Sequence, residues 1–128
     1  MDSNKPAVRM PMDAVSLVKK ISADDEQGIW VVSLDLRNRV LACKKVAKRE
    51  REYPAFYAQD IIKSALLNEA RAIVVVVRKS GDEIKPTEIF IDDAKNLWKA
   101  GRLLSIEVSD VIIAGDTDYH SMFSSHEF

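Results

Sequence analysis

The run Val74-Val75-Val76-Val77-Arg78-Lys79-Ser80-Gly81-Asp82-Glu83-Ile84 carries an apolar strand into a polar loop, the place where α/β proteins tend to keep their reactive groups. Here the loop offers Ser80 and Asp82, a hydroxyl and a carboxylate that could begin a hydrolytic site. Such a serine needs a base to take its proton, and no histidine or lysine stands in a convincing place, so a solvated turn is the better reading. His120 and His126 are six residues apart near the end of the chain, a spacing that suits surface residues better than zinc ligands. Cys43 is the single cysteine and cannot close an internal disulfide; its apolar strand context makes it an inert core thiol. Lys44, Lys45, Lys48, Arg49 and Arg51 could meet phosphates, but Glu50 and Glu52 interrupt them, so nucleic-acid contact is expected to be weak at most.

The elements that must position these groups follow from periodicity. Residues 1–10 are polar and proline-punctuated and read as a flexible N-terminal arm, leaving one domain over 11–128. Ala14, Val15, Leu17, Val18 and Ile21 recur at helical spacing behind Pro11 and Asp13. Gly28–Leu34 and Val40–Ala47 are β-branched and aromatic runs joined by Asp35-Leu36-Arg37-Asn38-Arg39, which predicts an antiparallel hairpin. A charged stretch then leads to the aromatic tip Tyr53-Pro54-Ala55-Phe56-Tyr57. A second helix over about 59–69 is expected to bury Ile61, Ile62, Ala65 and Leu66. Ala72–Val77 has no polar alternation, as a central strand covered on both faces requires. Thr87 is a good N-cap for a third helix reaching about Leu104, with Ile91, Ala94, Leu97, Trp98 and Gly101 inward. Strands over about 107–114 and 119–123 flank the turn Gly115-Asp116-Thr117-Asp118. The order α-β-β-α-β-α-β-β predicts an α/β (α+β) domain, a mixed β-sheet flanked by helices.

Bulk composition narrows the function classes. A chain of 128 residues, 47% apolar, suffices for one domain with a real core. Charged residues make up 30% of it yet sum to a net charge of -1, so no global field recruits nucleic acid or an anionic membrane. Residues 1–15 lack a signal peptide's hydrophobic segment, and no apolar run nears the roughly 20 residues of a membrane span. The expectation is a cytoplasmic protein without a membrane partner.

Five segments carry a more specific resemblance: SLDLRNRVLA (33–42), DIIKSALLNEARAIVVVV (60–77), SGD (80–82), PT (86–87) and AGRLLSIEVSDVIIAGDTDY (100–119). Together they resemble the RadC family, a bacterial branch of the JAB/MPN (JAMM) metalloprotease-like domains, across most of residues 12–123. The resemblance implies a JAB/MPN-like (cytidine-deaminase-like) fold and, ordinarily, a zinc-dependent metallopeptidase or isopeptidase. In that family an H-x-H-P-S-G motif and an aspartate on the following helix hold zinc, and a glutamate on the second strand serves the metal-bound water. Aligned on Ser80-Gly81, the histidine positions fall on Val76 and Arg78, and Lys79 stands where the family has proline. Counting back from Ala100-Gly101 puts the aspartate position on Phe90; the glutamate position falls near Lys44, and a histidine that usually precedes the second helix falls on Tyr57. Neither valine nor phenylalanine has a lone pair to donate, and arginine repels a cation. The loop is one residue longer between Gly81 and Pro86 than the family pattern, and no shift supplies a histidine.

The resemblance therefore implies a catalytically inactive RadC-like domain, with no cofactor, that binds another protein or itself. Such a chain fits a natural pseudoenzyme and an engineered variant of the scaffold alike. Tyr53, Phe56, Tyr57, Ile84, Ile89 and Phe90, framed by Arg78, would form one apolar and aromatic patch over the vacant site. The competing expectation is that these side chains plug the cleft by packing on each other. The alternative function is that of the parent family: a DNA-repair-associated zinc metallopeptidase, or a weak DNA-binding accessory protein.

Overall fold

A computed structural model describes residues 5–47 and 58–128. Its elements are α1 (Pro11–Ile21), β1 (Gly28–Leu34), β2 (Val40–Ala47), α2 (Ala58–Leu67), β3 (Ala72–Arg78), α3 (Glu88–Leu103), β4 (Glu107–Ala114) and β5 (Tyr119–Ser121). The order is the one expected. The strands form one mixed sheet, β2-β1-β3-β4-β5, in which β3 and β4 run parallel and the other neighbours antiparallel.

Helices cover both faces, and this decides which side chains can meet. On one face α1 packs Ala14, Val15 and Val18 against Trp30, Val32, Val74, Val76 and Ile112. On the other, α2 and α3 pack Ile61, Ala65, Phe90, Ala94 and Leu97 against Val31, Val75, Val77, Val111 and Ile113. Alternation along β3 sends Val74 and Val76 to the α1 layer and Val75 and Val77 to the α2–α3 layer. A strand buried on both faces must be apolar at every position, which accounts for the four consecutive valines.

Local chemistry sets the junctions. In the β1–β2 turn the Asp35 carboxylate accepts from the backbone N–H groups of Arg37 and Arg39, and Asn38 takes the left-handed conformation at φ +62°. Thr87 caps α3, its hydroxyl oxygen accepting from Phe90 N at 3.1 Å. Gly101 lets α3 lie close to the following strand, because a Cβ there would sit 2.6 Å from Ile106 O.

Three expectations need revision. Residues 6–8, read as part of a loose arm, run beside the β1–β2 turn: Val8 N donates to Asn38 O and Val40 N to Pro6 O. Leu66, assigned to the core face of α2, is 53% exposed, since the helix turns Ile61, Ser64 and Ala65 inward and three successive apolar residues cannot share one face. The last strand ends at Ser121 rather than Phe123, and turns follow it.

Candidate functional site

The resemblance placed ligand positions at Val76, Arg78 and Phe90, with the base position at Lys44. The structure does not bring these four together. Val76 is fully buried in the α1 layer, and Arg78, two residues on, points to the same side. Its guanidinium Nη1 donates to Ser22 Oγ at 2.7 Å and to Ala23 O at 3.0 Å, gripping the end of α1 where a cation complements the helix dipole. Phe90 lies in the opposite, α2–α3 layer. Lys44 pairs with Val31, a residue of that same layer, and its side chain is exposed there.

Val76 and Arg78 are thus separated by the sheet from Phe90 and Lys44. Three ligands on two faces of a sheet cannot surround one ion. Shifting the motif by the single residue that lengthens the 81–86 loop moves the histidine positions to Val77 and Lys79. Val77 shares the Phe90 layer, so this register restores a common face. It still supplies only an alkyl group and an ammonium, so in neither register do the residues fit a zinc ion. Among the described residues no group of three or more His, Cys, Asp or Glu side chains is placed to hold a metal ion.

Phe90 itself is 1% exposed. It begins the stripe Phe90, Ala94, Leu97, Gly101, the i, i+4, i+7, i+11 series that α3 turns to the core. That spacing is legible in the sequence as a core stripe, whereas the resemblance puts a cleft-facing ligand at this position. Ile84 is half-buried against the same core. Ile89, one residue before Phe90, is 62% exposed. Tyr53, Phe56 and Tyr57 lie outside the described residues. The expected single exposed patch is therefore corrected at Phe90 and Arg78, which are buried and committed to internal contacts; of the described members Ile89 is the open one.

The loop that in the resemblance carries the chemistry is here cross-braced to the β4–β5 turn. Asp82 accepts from the N–H of Thr117 and Asp118 and from the Thr117 hydroxyl, while Gly81 N donates to Asp116 Oδ2. These bonds hold the Asp82 carboxyl below its ordinary value, the Thr117 hydroxyl being the largest influence. Gly115 permits the approach, because a Cβ there would stand 2.4 Å from Gly81 O. Ser80 is exposed at the loop's start, and no contact among the described residues ties it to a base.

The remaining candidates disperse. Lys45 bonds Glu26 at 2.6 Å and lies 5.1 Å from the Trp30 ring centroid, so its charge is partly spent inside the molecule. Lys48, Arg49 and Arg51 fall outside the described residues. Burial pushes the Cys43 thiol up to about 11, which makes it a poor nucleophile at neutral pH. His120 sits on edge strand β5 with Nε2 2.8 Å from Glu127 Oε1, and His126 is in the exposed turn that follows.

Sequence reasoning did not find two features. One is Asp110 on β4, a carboxylate only 6% exposed that accepts from Ser121 Oγ, Val111 N and Phe123 N. The other is a row of open leucines, Leu66, Leu67, Leu103 and Leu104, at 53%, 72%, 87% and 49% exposure. The signal for it was the paired leucines at the ends of both helices, which overfill a single core stripe.

Comparison with known proteins agrees with this architecture. Residues 8–127 match a family model described as a RadC-like JAB domain. A UPF0758 protein of Desulforudis audaxviator is 29% identical over 119 residues, covering 92% of this chain and 52% of the relative. One from Chloroflexus aurantiacus is 31% identical over 116 residues, covering 90% and 51%, and one from Finegoldia magna is 26% identical over 126 residues, covering 91% and 56%. The chain thus spans about half the length of the curated relatives it matches. With the order of its elements, its mixed sheet and a family match over nearly its whole length, the chain belongs to the RadC-like JAB domain family.

Proposed function

We propose that this RadC-like domain is catalytically silent and works by binding protein. The observation that supports the reading most directly is Phe90: the position where the resemblance expects an anionic ligand holds a large apolar side chain, and that side chain is part of the core. A carboxylate at such a place would face the cleft; a phenyl ring there fills it. The histidine positions carry Val76 and Arg78, or Val77 and Lys79, and the base position carries Lys44. None of the side chains at these positions can ligate a metal or serve as the expected carboxylate base, so they offer no means to generate hydroxide or to shuttle its proton. The exposed leucines of α2 and α3 support the binding half of the reading, since contiguous apolar surface of this kind marks interfaces. Of the basic stretch, Lys44 is open and Lys45 is engaged with Glu26, which favours at most weak, salt-sensitive contact with nucleic acid over a DNA-repair role.

The test is metal content together with turnover. Purified without chelator and dialysed, the protein should carry far less than one zinc per chain and should not cleave peptide or isopeptide substrates when zinc is added. Equimolar zinc that survives dialysis, or cleavage abolished by a chelator, would return the chain to the active branch of its family.

A further inference from the structure

We propose that Arg37, Arg39 and Arg71 form a binding site for a phosphate group, free or carried by a small organic molecule. The inference goes beyond the function proposed above and does not rest on it. An open cleft of about 620 Å³ lies at the end of the sheet where β1 stops and β3 starts. The β1–β2 turn brings Arg37 and Arg39 to its lining, and the link from α2 to β3 brings Arg71. Hydrogen bonds fix both segments. The Asp35 carboxylate accepts from the backbone N–H groups of Arg37 and Arg39 at 2.8 and 2.9 Å, and Asn38 between them is left-handed at φ +62°. In the α2–β3 link Glu69 takes φ +53°, Arg71 N donates to Leu34 O, and Arg71 O accepts from Glu107 N. Backbone ordered in advance lowers the cost of binding.

The charges in this cleft are not balanced. Three guanidiniums share it with two carboxylates, Asp35 and Glu69. Asp35 already serves the turn: its carboxyl is held below the ordinary value, chiefly by the Arg39 N–H. Among the described residues the ion pairs are Lys45–Glu26 and His120–Glu127, so no carboxylate pairs with an arginine of the cleft. Like charges gathered in a cleft raise the local concentration of an anion. The cations here are all arginine, whose planar fork offers parallel N–H donors to a phosphate where lysine offers a point charge. A phosphate monoester brings roughly two negative charges at neutral pH, more than a carboxylate can. Leu36 and Leu41, 79% and 37% exposed, line the same cleft and give an organic group carried by the phosphate an apolar surface to cover. Because the cleft is open to water, binding is weak, in the millimolar range.

Titrating phenyl phosphate into the whole chain at constant ionic strength, followed by proton–nitrogen spectra that include the arginine Nε–Hε signals, tests the site. The shifts should saturate. Arg37→Gln and Arg71→Gln, both at exposed side chains, should each weaken binding by about fivefold or more, the loss of a charge-assisted contact. Arg71→Lys keeps the charge, loses the fork and should weaken binding as well. Lys85→Gln removes one charge from the exposed loop after β3, at the opposite end of that strand, and should leave binding unaltered. Amide spectra close to the parent's verify that each variant is folded. Inorganic phosphate separates the sources: tighter binding of phenyl phosphate assigns an ester, equal binding assigns free phosphate, and either supports the site. Shifts that do not saturate, benzoate binding as tightly as phenyl phosphate, full affinity in Arg71→Lys, or equal losses in Lys85→Gln and Arg71→Gln overturn the proposal. So does saturation by a short single-stranded oligonucleotide alone, which would make the cleft part of a nucleic-acid surface.

Discussion

Truncating Phe90 to alanine separates a core plug from an exposed anchor. The ring is 1% exposed and sits in the layer that α2 and α3 make with the sheet, beside Ile61, Ala65, Ala94 and Leu97. Removing it forfeits the transfer free energy of its buried carbons, about 2–3 kcal/mol at roughly 25 cal/mol per Å². A cavity term adds to this, because helices tied to a sheet relax only in part, which brings the expected total to about 3–5 kcal/mol. Ile89→Ala is the internal control: the side chain is one position away, 62% exposed, and should cost within about 0.5 kcal/mol. Both are read from urea unfolding midpoints at constant slope, so that the difference reports stability and not a change in compactness. A Phe90→Ala cost below about 1 kcal/mol would refute the reasoning, because no ring holding this core together could be removed so cheaply. If self-association weakened as well, Phe90 would have to be an interface anchor that the free chain leaves in water.

Burial holds the Asp110 carboxyl above its ordinary value, although hydrogen bonds from Ser121, Phe123 and Val111 and the nearby His120 oppose the shift. A carboxyl raised in the folded state contributes stability below its unfolded pKa and loses it as pH rises through the folded value. The stability of the parent chain relative to Asp110→Asn should therefore fall as pH rises from the ordinary aspartate value through the folded one. A flat difference in pH-dependent urea unfolding would contradict this; the lowered carboxyls of Asp35 and Asp82 shift stability the other way but are common to both proteins and cancel. The two-face geometry also makes a prediction about restoring metal ligands. Val77→His with Lys79→His and Phe90→Asp should retain zinc through equilibrium dialysis better than Val76→His with Arg78→His and Phe90→Asp, since the first set shares one face of the sheet. Equal retention by the two triple variants would show that β3 does not divide those positions as described.

Much of the architecture was legible without coordinates, because period and turn chemistry are local. The alternation-free Ala72–Val77 run announced a strand covered on both faces, Thr87 announced the start of α3, and Asp35 to Arg39 announced the hairpin turn; each appears where expected. The absence of histidine from Val76 and Arg78, where the resemblance expects it, is likewise a property of the sequence, independent of folding. What the chain could not announce is which face of the sheet a residue meets, since a one-residue change of register exchanges the two sides of a strand. Only tertiary structure separated Val76 and Arg78 from Phe90 and turned the guanidinium of Arg78 onto the end of α1. The exposed leucines follow the same logic. Ala65-Leu66-Leu67 and Leu103-Leu104 are equally apolar in sequence, but a helix can turn only one stripe to the core, and the rotation of α2 and α3 about their axes, set by packing on the sheet, decided which leucines were left outside.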